Sequence, residues 1–243
     1  MGLAGKSERN FRRTEKKYLL TAEEYETLRR ALAPHMTEDA YGRSRILSLY
    51  YDTADHRLIR QSLEKPTYKE KLRLRSYGVP RNGDEVFLEI KKKSEGVVYK
   101  RRVCLPVEMA MDYLSGGEKP AGYGQIMDEI DWMLRRYAPR PAAVISTDRL
   151  ALFGREDPTL RVTFDFDPRA RTEALDLRLG DHGASLLPAG MVLMELKVSA
   201  AAPLWLVELL SRLRLYPRSF SKYGTCYRRD ILPRTTLKEE SYV

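Results

Sequence analysis

The chain has 243 residues, and its 43 Lys and Arg against 34 Asp and Glu give a formal net charge of +9. That length suits one large domain, and the cation excess points to anionic partners such as nucleic acid, phosphorylated small molecules or an anionic membrane, without choosing among them. Two distant cysteines, Cys104 and Cys226, exclude a disulfide framework or a zinc site, and without a membrane-length apolar run or a signal-peptide core the expected location is cytoplasmic.

Residues 1–10 and 234–243 are expected to be flexible tails around one domain at 11–230. Phe11–Leu20 reads as a strand. Thr21 and Glu24 form a capping-box signature, predicting a helix over 22–33 with Tyr25, Leu28 and Leu32 on one face. A strand over 43–51 follows, and Asp52-Thr53 caps a short helix ending near Gln61. Thr67–Tyr77 is a strand and Pro80–Gly83 a turn. Residues 84–93 and 97–104 read as a hairpin through Ser94-Glu95-Gly96. Helices are predicted at 106–115 and 121–137, strands at 141–152, 160–167 and 191–199, and helices at 203–213 and 223–230. Strands first and last, joined by short connections, favour an antiparallel α+β fold.

Residues two apart on a strand share a face. That rule puts Lys69, Lys71, Arg73 and Arg75 together, and Glu85, Glu89, Lys91 and Lys93 together opposite Val86, Leu88 and Ile90. Lys100 and Arg102 line up, as do Arg13, Glu15 and Lys17. Arg161, Thr163 and Asp165 oppose Val162 and Phe164, and Glu195, Lys197 and Ser199 oppose Met194, Leu196 and Val198. One strand of this kind is explained by a sheet with one wet face. Six such strands also allow the charged faces to line a barrel lumen, which at about eight strands holds one small ligand. A lumen so rich in cations needs a polyanion and water inside.

Six segments occur in order: Arg13-Thr-Glu-Lys-Lys-Tyr18, Ser48-Leu-Tyr-Tyr-Asp-Thr53, Lys71-Leu-Arg-Leu-Arg-Ser-Tyr-Gly78, Glu89-Ile-Lys91, Met194-Glu-Leu-Lys197 and Phe220-Ser-Lys-Tyr223. Together they resemble the vacuolar transporter chaperone (VTC) catalytic domain, a polyphosphate polymerase within the triphosphate tunnel metalloenzymes, or CYTH-like superfamily. The resemblance spans about 11 to 230. The phosphate-sensing domain and membrane segments of the eukaryotic members have no counterpart, so the chain resembles a stand-alone, prokaryotic-type version. The family implies a closed antiparallel β-barrel tunnel of about eight strands with helices packed outside. It also implies triphosphate among basic side chains, and Mn²⁺ or Mg²⁺ on glutamate.

Carried over residue by residue, Lys17 matches the basic residue of the first strand, and Arg13 lies beside it. Arg73 and Arg75 match the paired arginines, Lys91 the lysine after the strand glutamate Glu89, and Lys100 and Arg102 the following basic pair. Arg149 and Arg161 fall where the family has tunnel arginines. Glu195 matches the metal-binding glutamate, with Glu15 as a second candidate ligand and Lys197 among the phosphate contacts. Ser221 and Lys222 match the late serine-lysine pair. The catalytic set this implies is Arg73, Arg75, Lys91 and Lys222.

The implied reaction passes the terminal phosphoryl group of ATP to a growing polyphosphate chain. Arg gives bidentate contacts to phosphate and Lys a point charge, and phosphoryl transfer is mostly positioning and charge stabilisation. Hydrolytic tunnel enzymes and adenylate cyclases carry glutamate-x-glutamate-x-lysine on the first strand. Here Arg13 replaces the first glutamate, which favours synthesis over hydrolysis. The implied partners are ATP or another nucleoside triphosphate and polyphosphate, with no sequence-specific nucleic acid. A membrane-protein partner at the inner face of the membrane stays open. The competing readings are a triphosphate or polyphosphate hydrolase on the same tunnel and a non-catalytic polyanion binder. His35, His56 and His182 lack metal-ligand spacing, Trp132 and Trp205 fit packing roles, and Lys92 faces away from Lys91.

Overall fold

Alternation along the strands decides which side of the sheet is greasy and which is charged. The computed structural model describes residues 14–95, 97–199 and 201–235. In chain order the elements are β1 (Thr14–Leu20), α1 (Ala22–Leu32), β2 (Met36–Asp52), α2 (Arg57–Leu63), β3 (Tyr68–Tyr77), β4 (Glu85–Ser94), β5 (Val97–Pro106), α3 (Val107–Leu114), α4 (Gly124–Tyr137), β6 (Arg140–Gly154), β7 (Arg161–Arg171), β8 (Ala184–Ser185), β9 (Val192–Val198), α5 (Leu204–Arg212) and α6 (Lys222–Cys226). The strands form one antiparallel sheet in the order β1-β9-β7-β6-β2-β3-β4-β5, with β8 paired to β7.

The apolar face of this sheet is covered in two patches. Leu47, Leu49, Leu72, Leu74, Val86, Leu88 and Ile90 pack under α3 and α4, with Ala110, Met127, Ile130 and Met133. Tyr18, Leu152, Val162, Phe164, Met194 and Leu196 pack under α1 and α5, with Leu28, Leu32, Leu206 and Leu209. The capping box places α1 as expected: the Glu24 N–H donates to Thr21 Oγ1 (3.2 Å) and the Thr21 N–H to Glu24 Oε2 (2.7 Å). Tyr25 then meets Phe164 and Phe166 edge-on, at 5.0 and 5.1 Å.

The other face is curled inward. β1 and β4 lie six strands apart along the path, about 29 Å in a flat sheet and several Debye lengths. Yet Glu15 and Lys17 on β1 both act electrostatically on Lys91 of β4, so the two flanks face each other across a trough. Closure into a barrel, expected from the resemblance, is not reached. β1 and β5 are the ends of the sheet path, and no ladder joins them among the described residues. Both edges carry cations, Lys16 and Lys17 on one and Lys100, Arg101 and Arg102 on the other, and like charges oppose such a last pairing.

The helices are not all outside, which corrects a second expectation. α6 packs on the charged face, where Tyr223 stacks on Tyr50 with ring centres 4.9 Å apart. There Tyr223, Cys226, Tyr227 and Ile231 join Ala143, Ile145 and Ile59 in a third cluster. α6 is only five residues long, Lys222–Cys226, too short to show a helical period, so its side could not be read from the sequence. Some element boundaries also move. β2 begins at Met36 rather than 43, because a bulge between Glu38 and Arg43, with Gly42 at φ 55°, interrupts its pattern. α2 begins at Arg57 and ends at Leu63, although Asp52 and Thr53 do cap it: Asp52 accepts from the Leu58 and Ile59 N–H groups (2.9 and 3.0 Å) and Thr53 Oγ1 from Arg57 (2.7 Å). At the C-terminal end Arg234 and Thr235 are helical, and Arg234 pairs with Glu173 at 3.0 Å. The rest of the expected tails, and Arg13, lie outside the described residues. No helix among the described residues is long and apolar enough to cross a membrane.

Candidate functional site

One flank of the trough is built by β2, β3, β4 and β5 around Glu89, which is 1% exposed. The register sets Arg73 opposite Glu89 and Tyr50, and Arg75 opposite Ser48. Arg73 Nε donates to Glu89 Oε2 (2.7 Å) and Nη1 to the Tyr50 hydroxyl (3.2 Å). Arg75 Nε donates to Ser48 Oγ (3.4 Å) and stands 3.9 Å from Glu89. Lys100 Nζ, from the edge strand, lies 2.7 Å from Glu89 Oε1. Burial raises the Glu89 carboxyl, but Arg73, Arg75 and Lys100 outweigh it and hold it at about 2. Tyr50 is treated alike: burial pushes the phenol up, and Arg73, Lys71 and Arg75 pull it down further, to about 7. A buried phenol near ionisation is a measure of how positive this flank is.

The opposite flank comes from β1, β9, β7, β6 and α6. Arg149 holds Asp165 through two bonds, Nε at 2.6 Å and Nη2 at 2.7 Å. Lys222 of α6 ion-pairs with the same carboxylate and reaches within 3.9 Å of Glu195. Glu195 also has Lys197 at 3.3 Å and Lys17 at 3.7 Å. Lys17 donates to the Phe220 carbonyl (2.9 Å) and lies 3.6 Å from Glu15. Burial works against ionisation of Asp165 and Glu195. Lys222 first, then Arg149 for Asp165 and Lys197 for Glu195, reverse this and hold both carboxyls below their ordinary range.

Oxygen donors on this second flank fit a hard divalent cation. Across β1, β9 and β7 the register aligns Lys17, Glu195 and Thr163. Glu195 is 8% exposed, and its nearest cation among the described residues stands 3.3 Å away, longer than a good hydrogen bond. Thr163 Oγ1 beside it is buried with no hydrogen-bond partner among the described residues. Glu195, Thr163 and the nearby Glu15 are oxygen ligands of the kind Mg²⁺ or Mn²⁺ takes, the remainder coming from water and phosphate. No group of three or more His, Cys, Asp or Glu with metal-binding geometry exists among the described residues, so an all-protein cage does not form here.

The remaining candidates sit as follows. Lys91 is half-buried between the two centres and faces Lys71 and Lys100. Arg102 is exposed and lies 4.4 Å over the Phe87 ring. Arg161 is exposed at the start of β7, opposite Lys197. The Ser221 hydroxyl accepts from the Gly224 N–H (3.1 Å), so it caps α6 and sets the angle at which Lys222 leaves. Several residues of the site were given no site role by sequence reasoning: Thr163 and Asp165 were only placed on the charged face, Asp52 only as a helix cap, and Tyr50 and Tyr223 only within motifs. Tyr223 donates to Asp52 Oδ2 (2.9 Å), which ties α6 to the end of β2 and the start of α2. Asp165 alternated onto the charged face and could have been found by asking which carboxylate neutralises Arg149. The Tyr223–Asp52 bond spans 171 residues and left no local signal.

A curled antiparallel sheet with Lys and Arg along its inner face and a few shared carboxylates defines a cation-lined trough. Residues 12–229 match the VTC domain model, and the chain belongs to the VTC domain family. No curated protein matches it. Among solved structures it is similar to a candidate adenylate cyclase from Bacillus halodurans, with TM-score 0.54 and 16% identity over 85% of this chain and 92% of that one. It is also similar to a candidate adenylyl cyclase from Hippeastrum with a dominant triphosphatase activity, with TM-score 0.48 and 15% identity over 88% and 94%.

Proposed function

We propose that the chain is a polyphosphate polymerase, transferring the terminal phosphoryl group of ATP to a polyphosphate chain and releasing ADP. The observation that carries this reading is the Arg73–Arg75–Lys100 group fixed on buried Glu89, within a VTC domain. These cations are oriented before any ligand arrives, the condition under which charge stabilisation costs no reorganisation. Arg73 is held at Nε and Nη1, which leaves further N–H groups to bind phosphate oxygens. Lys91 adds a point charge between the flanks, and Arg149 and Lys222, braced by Asp165, meet the substrate from the other side. Lys17, Lys197, Arg102 and Arg161 extend the phosphate-binding field. An oxygen of the chain end attacks the terminal phosphorus of ATP, the bond from that phosphorus to the bridging oxygen breaks, and the electron pair leaves on ADP. The acceptor is itself a phosphate, so no protein nucleophile is required. Glu195, with Glu15 and Thr163, would hold Mn²⁺ or Mg²⁺, which supplies Lewis-acid neutralisation of phosphate charge when bound.

The second reading is hydrolysis on the same trough. Arg13 in place of a first-strand glutamate favours synthesis, because it removes a ligand for a second, water-activating metal. Incubation of the purified protein with ATP and Mn²⁺, with nucleotide and phosphate products resolved together, tests both. ADP with long-chain polyphosphate is the expected result. ADP with orthophosphate alone assigns the hydrolase, and unchanged ATP leaves a non-catalytic polyanion binder or an enzyme that lacks its partner.

A further inference from the structure

Two consecutive cross-strand pairs on the charged face set lysine against lysine: Lys69 faces Lys93 and Lys71 faces Lys91. From the third strand Lys100 faces Lys91 as well. Like charges placed directly opposite destabilise a sheet, so this arrangement costs the folded chain something. Nearby cations are relieved by carboxylates: Arg73, Arg75 and Lys100 share Glu89, Arg149 and Lys222 share Asp165, and Lys17 and Lys197 flank Glu195. Lys69, Lys71 and Lys93 have no ion pair among the described residues. Among the described residues the one hydrogen bond in this group runs from Lys69 to the Ser62 carbonyl, at 3.4 Å. Burial depresses Lys69 and Lys71; Tyr50 opposes this at Lys71, but neighbouring ammonium groups press downward with burial and bring Lys71 to about 8.

The position of these lysines is as informative as their charge. Along the inner face of β3 the order is Lys69, Lys71, Arg73, Arg75, Tyr77. Beyond Arg75 the face turns aromatic, with Tyr77 edge-on to Phe87 at 5.8 Å and Arg102 over the Phe87 ring. Beyond Arg73, in the other direction, it is lysine alone. Lys69 and Arg73 are four residues apart, about 13 Å of strand. A single phosphate at Arg73 cannot reach across that distance, whereas a linear polyanion lying along the strand passes over Lys71 and then between Lys69 and Lys93.

We infer that Lys69, Lys71 and Lys93 form a second anion subsite, continuous with the Arg73–Arg75 centre, for the phosphates of a linear polyphosphate beyond the third. This rests on the proposed reading of the Arg73–Arg75 centre as a phosphate site. It gives the trough a direction, with the long chain at the lysine end.

Calorimetric titration at fixed ionic strength, with inorganic tripolyphosphate and with long-chain polyphosphate, tests it. The variant K69M/K71M/K93M should bind tripolyphosphate within about twofold of wild type and long-chain polyphosphate about tenfold or more weakly. Because the substitutions remove opposed like charges, the ligand-free variant should melt no lower than wild type. The control K16M/R155M/R212M removes equal charge from exposed residues and should match wild type with both ligands. Equal losses for the two ligands, no loss for the long chain, or an equal loss in the control would each overturn the subsite. An equally large loss for single-stranded DNA would assign the patch to polyanions at large and overturn the polyphosphate assignment. If wild type binds neither phosphate, the proposed function falls together with the subsite, a pattern distinct from selective loss in the variant.

Discussion

The two flanks of the trough use the same residue types to different ends. On the β3–β4–β5 flank a single buried carboxylate, Glu89, serves Arg73, Arg75 and Lys100, and the lysines beyond have none. On the β1–β9–β7 flank three carboxylates, Glu15, Asp165 and Glu195, are interleaved with Lys17, Arg149, Lys197 and Lys222. The first flank is strongly positive and suited to an anion. The second is near balance, and under the proposed reading its carboxylates keep oxygen lone pairs for a cation. What separates them is the ratio of carboxylate to cation, which a net charge for the whole chain conceals.

The contrast can be broken most severely at Arg73. Arg73→Ala should lower the rate of ADP release about 10²–10³-fold, the usual effect of removing a preorganised donor, and Arg73→Lys should restore little, since an ammonium cannot span Glu89, Tyr50 and phosphate together. Steady-state kinetics checks both. A change at Glu195 tests the other flank. Glu195→Gln should weaken Mn²⁺ binding by more than the roughly 10–100-fold that follows loss of a ligand's supporting partner, while metal-free triphosphate binding holds or tightens. Mn²⁺ titration followed by electron paramagnetic resonance reads this directly, and wild-type Mn²⁺ affinity in the variant would erase the distinction between the flanks.

Stability gives the next, smaller test. Glu89→Gln leaves buried cations without their carboxylate, a loss of about 3–5 kcal/mol for a broken buried pair, and added polyphosphate should restore much of the lost melting temperature. The sign of the accompanying pH effect is fixed. Glu89 is depressed from 4.5 to about 2, so its contribution is complete above about pH 4.5 and is lost as pH falls toward 2. Acid melting curves of wild type should show this loss, and those of Glu89→Gln should lack it. The smallest effect lies outside the trough: Thr21→Ala removes the cap of α1 and should cost about 1 kcal/mol in chemical denaturation, with turnover unchanged.

Local signals in the sequence are legible where a short stretch carries its own geometry. The Thr21–Glu24 capping box, the turn expected at Pro80–Gly83, which closes one residue later with the Asp84 N–H donating to the Arg81 carbonyl (3.0 Å), and the hairpin that sets Ser94 against Val97 each need only neighbouring residues. Alternation likewise put Lys69, Lys71, Arg73 and Arg75 on one face before any partner was known. The extension of β2 to Met36 was hidden because the bulge near Gly42 shifts the side-chain phase. The inward position of α6 was hidden because it rests on Tyr223 meeting Tyr50 and Asp52 from far along the chain.

By itself, then, the sequence determined the eight longer strands, though not the two-residue β8, which of their faces is charged, and through an ordered set of motifs the family. Side-chain alternation and capping depend on covalent neighbours, so they are written locally. Only the tertiary structure decided that Glu89 gathers Arg73, Arg75 and Lys100, that Asp165 braces Arg149 and Lys222, and that the sheet curls without a ladder between β1 and β5 among the described residues. Those outcomes depend on which charges meet across strands distant in sequence, and on how burial and repulsion balance there.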